Sequence, residues 1–323
     1  MIIGSIKERD PKETRISLTP DIVKKLTIKG HNVFIEKSYG INLGFSDTAY
    51  LNSGAKIINT TTKIYQKSEI LLFITPPQTN KTDVFKHCKL IIADFTNYPK
   101  DSLIQNTRIL CLEQVPRTSV AQSIDILSSQ SIVRGYMSAI YALYHSNRIA
   151  PEMMTAATTI KPLQALIIGA STTGLQAAIT LKKAGCHVML MDINAKAEEL
   201  AHSVGASFTL QPNKKDLPEY LSTQNIIIST ASNNQEIISS ADINKLKPFT
   251  ILIDTTLKNI NLTTPIPPNI HFYRNHHFEH LAPITASELW ANNILNLLNI
   301  ILPTPNTLDL TATYIKPMIK ENT

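Results

Sequence analysis

The chain has 323 residues, of which 43% are hydrophobic and 17% charged, and it carries a net charge of +6. This composition allows roughly two domains with buried cores and excludes an intrinsically disordered chain. The lysines and arginines are scattered and form no basic stripe interleaved with aromatic residues, so we expect no nucleic-acid partner.

Apolar runs and cysteines bear on the compartment. No run reaches the ~18 apolar residues of a membrane-spanning helix, and the first residues lack the charged-then-apolar pattern of a signal peptide. Cys88, Cys111 and Cys186 lie far apart, form no CxxC pair, and indicate buried thiols in a reducing compartment. We therefore predict a cytoplasmic protein with no membrane span of its own.

The first half of the chain alternates helical patterns with short apolar strands. Pro20 begins a helical pattern that Gly30 ends, and residues 31–37 then read as a strand. A long helical pattern over residues 123–145 predicts a connector between domains. Helix-length connections between strands favour parallel βαβ topology. Further buried strands are predicted at residues 69–74, 89–95 and 108–113.

A second alternating series begins at Ala165. It opens with a strand, a turn, a helix and a second strand that ends at Asp192. A final amphipathic helix over residues 286–302 is expected to return to the first domain. Further strands are predicted at residues 225–229, 250–254 and 270–273.

The strongest local signal is the turn GASTTG, which starts at Gly169 between an apolar strand and a helix. The first glycine permits a tight turn, and the helix N-terminus presents N–H groups and a positive dipole end to a pyrophosphate. Asp192 ends the next strand 23 positions later, where a carboxylate can accept hydrogen bonds from ribose hydroxyls and repel a 2′-phosphate. This pattern predicts binding of NAD rather than NADP.

Ser171 occupies the position of the second glycine in the GxGxxG pattern. Its Cβ takes space beside the pyrophosphate, while its hydroxyl can donate to a phosphate oxygen. The spacing differs from the G-x-S-x-G of a nucleophilic serine, which argues against a hydrolase. The alternative is a doubly wound domain that has lost its nucleotide.

Residues 115–129, VPRTSVAQSIDILSS, concentrate polar side chains where a strand gives way to the long helix. A loop here would face the cleft between the two domains. On residue chemistry alone, helix capping by Ser119 or Ser123 is the simpler explanation. The side chains of interest are Arg117, Gln122, Asp125 and Ser128.

This segment resembles the Arg-Gln-Asp loop of the NAD(H)-binding component of proton-translocating transhydrogenase, whose usual form is close to VPR-x-S-x-AQ-x-x-D-x-LSS. That component belongs to a family that also contains alanine dehydrogenase. The opening KERDPKETRISLTP, the strand–turn–strand around Gly169 and the last helix fit as well, so the resemblance covers most of the chain. In that family the loop borders the bound nicotinamide, a role that the resemblance assigns here to Arg117, Gln122, Asp125 and Ser128.

Alanine dehydrogenase shares this architecture and an early arginine, here Arg15, which in that enzyme holds the substrate carboxylate. It also needs a lysine and a histidine for proton transfer. The lysine position carries Thr75, and the histidine position falls near Thr96 or Asn97. Hydride transfer between two nicotinamides needs positioning rather than an acid–base group. The sequence therefore favours the transhydrogenase component, with an amino-acid dehydrogenase as the alternative.

Two segments depart from the transhydrogenase pattern. Residues 231–240, ASNNQEIISS, lack the Gly-Lys-Pro core of the family's mobile loop, and residues 254–264 replace a glycine-rich GGN segment. These departures leave open a third alternative, a non-catalytic paralogue that binds the nucleotide weakly or not at all.

His276, His277 and His280 lie in a histidine-rich run. No helix or carboxylate spacing in the sequence supports metal binding there, and we expect a strand end and a loop with no metal.

Together these patterns predict an α/β protein of two Rossmann-like domains with parallel sheets, linked by long helices, the first domain being discontinuous. The predicted domains are residues 1–126 plus 284–323, of the alanine dehydrogenase/transhydrogenase N-terminal type, and residues 127–283, which bind NAD(H). The resemblance implies a homodimer docked on membrane-bound transhydrogenase subunits that carry the NADP(H) site, and thus peripheral to the inner membrane.

Gln122 and Asp125 are the predicted catalytic residues, because they would orient the nicotinamide. The predicted cofactor-binding residues are Arg117, Gln122, Asp125, Ser128, Gly169, Ala170, Ser171, Thr172, Thr173, Gly174, Asp192, Ile193, Asn194 and Ala231.

Overall fold

The computed structural model describes residues 1–77, 85–96, 107–232 and 235–320. The chain divides into two compact units, and the first is discontinuous in sequence because it contains Met1–Gln130 together with Pro283–Thr323. The second unit is Ser131–Ala282. Among the described residues, no helix combines the length and apolar character needed to cross a bilayer.

The described portion of the first unit is built on a seven-stranded sheet. Its strands are β1 (Ile2–Ser5), β2 (Asn32–Glu36), β3 (Lys56–Ile58), β4 (Ile70–Leu72), β5 (Leu90–Ala93), β6 (Arg108–Cys111) and β15 (Ile319–Lys320). They lie in the order β15-β6-β5-β4-β1-β2-β3, parallel throughout except that β15 pairs antiparallel with β6. The order reverses between β1 and β4, so ligands are expected beyond the carboxyl ends of these two strands.

Helices cover this sheet and complete its core. They are α1 (Pro20–Ile28), α2 (Asp47–Asn52), α3 (Thr61–Lys67), the start of α4 (Ile126–His145), and α9 (Pro283–Ile301). Pro20 suits the first helical position because its missing N–H would have no intrahelical acceptor there. Gly30, at φ +86°, lets the chain turn from α1 into β2. The apolar face of α9 joins the same core as α1, which confirms that the last helix returns to the first domain.

The second unit has a parallel sheet that is six-stranded over the residues described. Its strands are β9 (Gln164–Ile168), β10 (His187–Asp192), β11 (Ser207–Leu210), β12 (Ile226–Ser229), β13 (Ile251–Asp254) and β14 (His271–Arg274). The order is β11-β10-β9-β12-β13-β14, and its reversal between β9 and β12 marks a second position for ligand binding.

The rest of α4 packs on this sheet with α5 (Thr172–Lys183), α6 (Ala197–Ser203), α7 (Leu217–Ser222) and α8 (Ser240–Ile243). An exposed ribbon of β7 (Met153–Met154) and β8 (Thr159–Ile160) precedes β9. Helices α4 and α5 approach closely at Gly135, where a Cβ atom would lie 2.2 Å from the Thr173 carbonyl oxygen. The close approach therefore requires glycine at this position.

The α/β class with parallel sheets is confirmed, as is the burial of the three cysteine thiols. The start of the long helix was wrong: α4 begins at Ile126 instead of Ser123, because Gln122–Ile124 forms a 3-10 turn. The antiparallel strand β15 and the ribbon of β7 and β8 have no counterpart in the sequence prediction.

Candidate functional site

The turn from β9 into α5 lies where the second sheet reverses its strand order. Gly169 has φ +100°, and a Cβ atom there would stand 2.7 Å from the backbone nitrogen of Ala231. A Cβ atom at Gly174 would stand 2.0 Å from the Gly169 carbonyl oxygen. A side chain at either position would force the turn away from the end of β12, so both glycines are required by close approach.

Ser171 is the N-cap of α5, with extended backbone angles of φ −67° and ψ 167°. Its Oγ accepts a hydrogen bond from the Gly174 N–H at 3.2 Å and lies 3.1 Å from Thr230 Oγ1. Thr230 in turn donates to the Gly169 carbonyl oxygen at 2.9 Å. The serine hydroxyl thus serves the helix terminus, and it must leave this cap to reach a phosphate oxygen.

Asp192 joins the tips of two neighbouring strands. Its Oδ2 accepts from the Ala170 N–H at 2.6 Å, and its Oδ1 accepts from the Asn194 N–H at 2.9 Å. The carboxylate remains partly exposed, and the next side chain, Ile193, is 67% exposed. An acceptor group and an apolar surface therefore lie side by side at the carboxyl end of β10.

The other predicted residues of the second unit lie at the same edge of the sheet. Thr172 is exposed in the first turn of α5, Thr173 is buried, and Ala231 follows β12 in contact with Gly169. The fold therefore gathers one continuous group of predicted residues: Gly169, Ala170, Ser171, Thr172, Thr173, Gly174, Asp192, Ile193, Asn194 and Ala231.

The polar segment before α4 belongs to the first unit. The Ser123 carbonyl oxygen accepts from the Nδ2 atoms of Asn293 and Asn296 at 2.9 and 3.0 Å, which fastens the segment to α9. Arg117 and Gln122 are exposed on this anchored loop. The loop therefore presents a cation and an amide from a fixed backbone.

Asp125 caps α4. Its Oδ1 accepts from the Ser128 N–H at 2.9 Å, and its Oδ2 accepts from the Ser128 Oγ at 2.5 Å. The prediction of a cap at Ser119 or Ser123 was therefore wrong, because the 3-10 turn moves the helix start to the residue after Asp125. The same turn makes Asp125 and Ser128 direct partners.

Arg15 lies at the carboxyl edge of the first sheet and is 6% exposed. Its guanidinium donates to both carboxylate oxygens of Glu13 at 2.8 and 2.7 Å and to Gln130 Oε1 at 2.9 Å. It also lies over the ring of Trp290, 5.3 Å from the centroid. The positive charge is thus matched by an internal carboxylate.

Thr75, at the position of the alanine dehydrogenase lysine, is the partner of a buried carboxyl group. Glu8 accepts from the Thr75 hydroxyl and from the Ile74 N–H, both at 2.7 Å. Burial raises the pKa of Glu8 to about 7, and the nearby charge of Glu13 acts in the same direction. No amine is supplied at this point by the matching residue.

The histidine position of alanine dehydrogenase carries no imidazole in this sequence. Thr96 donates its hydroxyl and N–H to Asp94 Oδ1 at 2.6 and 2.9 Å, so its side chain serves a local turn. Asn97 lies outside the described residues.

The two departing segments lie beyond β12 and β13. Buried Asp254 accepts from the N–H groups of Thr256 and Leu257 at 2.9 and 3.1 Å, and Leu257 adopts φ +68°. A leucine thus occupies a left-handed position that favours glycine. In the other segment, residues 233–234 lie outside the described residues, and Ser239 caps α8.

Sequence reasoning missed two charged residues of the second unit. Arg134 and Glu279 form a buried pair joined by two hydrogen bonds of 2.8 Å, next to the histidine-rich run. The signal present in the sequence was the acid two positions after His277, which requires knowledge of the local turn to interpret.

Comparison with known proteins gives matches along nearly the whole chain. Residues 4–134 match the family "Alanine dehydrogenase/PNT, N-terminal domain", and residues 138–319 match "Alanine dehydrogenase/PNT, C-terminal domain". The first of the separate parts of NAD(P) transhydrogenase subunit alpha from Rickettsia prowazekii is 34% identical over 228 residues, which are 68% of this chain and 60% of that protein. The protein of the same name from Rhodospirillum rubrum is 29% identical over an alignment of 343 positions, covering 92% of this chain and 89% of that protein.

Solved structures show the same fold. A transhydrogenase from Sinorhizobium meliloti superposes with a TM-score of 0.88 at 24% identity, covering 100% of this chain and 99% of the other. An L-alanine dehydrogenase gives 0.82 at 18% identity, covering 100% and 95%. The structural likeness establishes the architecture, and the two domain matches establish the kinship: the chain belongs to the alanine dehydrogenase/PNT family.

Proposed function

We propose that this chain is the NAD(H)-binding component of a transhydrogenase and that it exchanges hydride with NADP(H) held by a partner subunit. The observation that carries the proposal is the 2.6 Å hydrogen bond between Asp192 and the Ala170 N–H. It fixes a carboxylate beside the turn at which a helix N-terminus begins, the combination that a dinucleotide needs.

The cofactor site follows from the groups at this edge. The first N–H groups of a helix have no intrahelical acceptor, and Ser171 engages that of Gly174. The N–H groups of Thr172 and Thr173 would thus bind the pyrophosphate. Asp192 would accept from the ribose hydroxyls, and the exposed Ile193 would cover the adenine.

The polar loop has two roles in this proposal. Gln122 and Arg117, both exposed, would orient the nicotinamide. Asp125 and Ser128 bond to one another at the start of α4, so they would act largely by fixing the loop that carries Gln122. A rigid loop suits hydride transfer, because the rate depends on the position and orientation of the ring.

The hydride acceptor must come from another polypeptide. Within the described residues, the 169–174 turn is the one segment with a dinucleotide fingerprint. The names of the relatives from Rickettsia and Rhodospirillum describe one piece of a divided alpha subunit, which implies further subunits in those proteins. We propose membrane-bound partner subunits that carry NADP(H), with this chain held at the inner membrane through them.

We also propose a homodimer. Residues 151–161, which contain the ribbon of β7 and β8, are exposed throughout, and Met154 and Tyr144 are each 82% exposed. A lone two-stranded ribbon is marginally stable in water, and exposed apolar side chains favour coverage by another protein surface. A second copy of the chain would provide that coverage.

An amino-acid dehydrogenase finds less support in the first unit. Arg15, which would have to hold a substrate carboxylate, is paired with Glu13 in a buried contact. Thr75 bonds to Glu8 where a catalytic lysine would be required. Neither arrangement provides the proton transfers of amine oxidation.

The first prediction concerns the choice of nucleotide. NADH is expected to bind at least tenfold more tightly than NADPH, about 1.4 kcal/mol, because Asp192 repels a 2′-phosphate. Asp192→Asn, which keeps an acceptor for the Ala170 N–H, should narrow this ratio. Fluorescence titration with both nucleotides measures it, with Asp216→Asn on the surface of the same unit as the control. Equal affinities in the unaltered chain would refute the role of Asp192.

The second prediction concerns Ser171. Ser171→Gly should bind NADH about threefold to tenfold more tightly, because it frees the Gly174 N–H, worth about 0.5–1.5 kcal/mol, and removes the Cβ. Ser171→Ala is the matched variant: it keeps the Cβ and should lower the free energy of unfolding by about 1 kcal/mol through loss of the cap. Weaker NADH binding by Ser171→Gly would show instead that the hydroxyl is itself a phosphate ligand.

The third prediction concerns amino acids. The chain should not oxidise alanine or any other amino acid with NAD, because Thr75 and Glu8 provide no group equivalent to the lysine. The assay follows the absorbance of newly formed NADH, with an alanine dehydrogenase run in parallel as the positive control. Steady turnover with any amino acid would overturn the transhydrogenase proposal.

The fourth prediction concerns the partner. Hydride transfer from NADH to an NADP analogue should appear only after addition of a transhydrogenase NADP(H)-binding component. Gln122→Asn should lower turnover of the mixed complex by on the order of 100-fold, since a shift of ~1 Å at the reacting ring has an effect of that size. NADH affinity should change little. Gln164→Asn, at the opposite end of β9, serves as the control.

Two outcomes of the mixed-complex assay would count against this assignment. If Gln122→Asn lowers affinity and turnover in proportion, the loop only binds the cofactor. If the unaltered chain binds NADH yet stays inactive with a competent partner, the non-catalytic paralogue is the better account.

A further inference from the structure

A histidine–carboxylate cluster follows β14, away from every residue used above. The 3-10 turn Phe278–Leu281 brings the rings of His277 and His280 into a stack, with centroids 4.7 Å apart and planes 16° from parallel. Glu279 lies between them in sequence, and one ligand atom from each of the three residues falls within 4.8 Å of the other two.

The carboxylate of this cluster is held in a fixed orientation. Glu279 is 1% exposed, and the Nε and Nη2 atoms of Arg134 donate to its two oxygens at 2.8 Å each. A carboxylate has about four lone-pair sites, so a fork pairing with arginine leaves it able to accept again. Ligating carboxylates in metal sites are commonly oriented by such hydrogen bonds from outside the coordination shell.

We propose that His277, Glu279 and His280 form a three-ligand site for a divalent transition metal of the Zn²⁺ type, with solvent as the fourth ligand. Two imidazoles and one carboxylate favour such ions over Ca²⁺ and Mg²⁺, which prefer oxygen ligands alone. The proposal goes beyond hydride transfer and does not depend on it.

The spacing of the first two donors suits the proposal. His277 Nδ1 lies 3.4 Å from Glu279 Oε1. Two donors at the usual ~2.1 Å from a tetrahedral zinc are about 3.4 Å apart, so this pair has the required separation. His280 must approach by rotation of its side chain, for which its partial exposure leaves room.

The surrounding residues limit the site to these three ligands and set its strength. The third histidine of the run, His276, turns its Nδ1 to the Thr255 carbonyl oxygen at 3.0 Å. Arg134 adds a positive charge next to Glu279, which opposes a second cation. We therefore expect reversible binding, weaker than that of a closed structural zinc site with four protein ligands.

The test is a Zn²⁺ titration of the full chain without a histidine tag, by calorimetry, together with the visible absorption of bound Co²⁺. One equivalent should bind, and the melting temperature should rise, because a ligand of the folded state stabilises it. His277→Ala and His280→Ala should each weaken binding by on the order of 10- to 100-fold. The double variant His187→Ala/His202→Ala removes two exposed histidines elsewhere in the same unit and should bind as the unaltered chain does.

The role of Glu279 needs a variant that folds. Glu279→Gln alone leaves the Arg134 charge buried without its carboxylate, so the double variant Arg134→Leu/Glu279→Gln removes both charges together. It should lose Zn²⁺ affinity, with its circular dichroism spectrum as the check on folding. Absence of saturable Zn²⁺ binding, unchanged affinity without His277 or His280, or unchanged affinity in the folded double variant would each overturn the site.

Discussion

The organisation of the second unit depends on the contact between the β9–α5 turn and the end of β12. Gly169 and Gly174 have no side chains, and this lets the Ala231 backbone and the Gly169 carbonyl oxygen approach to distances that a Cβ atom would prevent. Thr230 then reaches the turn from β12, Ser171 meets Thr230 at the helix start, and Asp192 reaches the Ala170 N–H from β10. Three strand ends and one helix are thereby locked together at the edge of the sheet where a nucleotide would bind.

The first unit stabilises its carboxyl edge with charges that satisfy one another. The pair of Arg15 and Glu13 is buried, and Gln130, which also donates to the Ala286 carbonyl oxygen, links it to the start of α4 and to α9. Removing one member of such a pair leaves an uncompensated buried charge, a loss of about 3–5 kcal/mol. An arginine that holds a substrate in a related enzyme thus acts here as an internal link between elements of the unit.

The polar loop shows how one residue serves both local structure and the proposed chemistry. Asp125 ends the 3-10 turn and caps α4 through Ser128. The segment before it is anchored to α9 through the Ser123 carbonyl oxygen. A change at Asp125 would therefore alter the helix start together with any contact to a cofactor, whereas Gln122, exposed on the same backbone, reports on the cofactor alone.

The sequence by itself determined the α/β class, most strands, the nucleotide turn and the family. These follow from local signals: apolar runs of strand length, a glycine at a forced turn, and a polar motif with fixed spacing. It did not determine the antiparallel β15, which is two residues long and depends on pairing with β6, a strand far away in the chain.

Tertiary structure also decided what each polar residue does. Glu8 and Thr75, Arg15 and Gln130, and Arg134 and Glu279 are distant in sequence, and their partnership arises from packing. The Ser171 hydroxyl became a helix cap because Thr230 approaches it from another strand. Burial removes water as a competing partner, so the protein groups that the fold brings within hydrogen-bond distance fix the role of a buried side chain, and one-dimensional spacing does not record that distance.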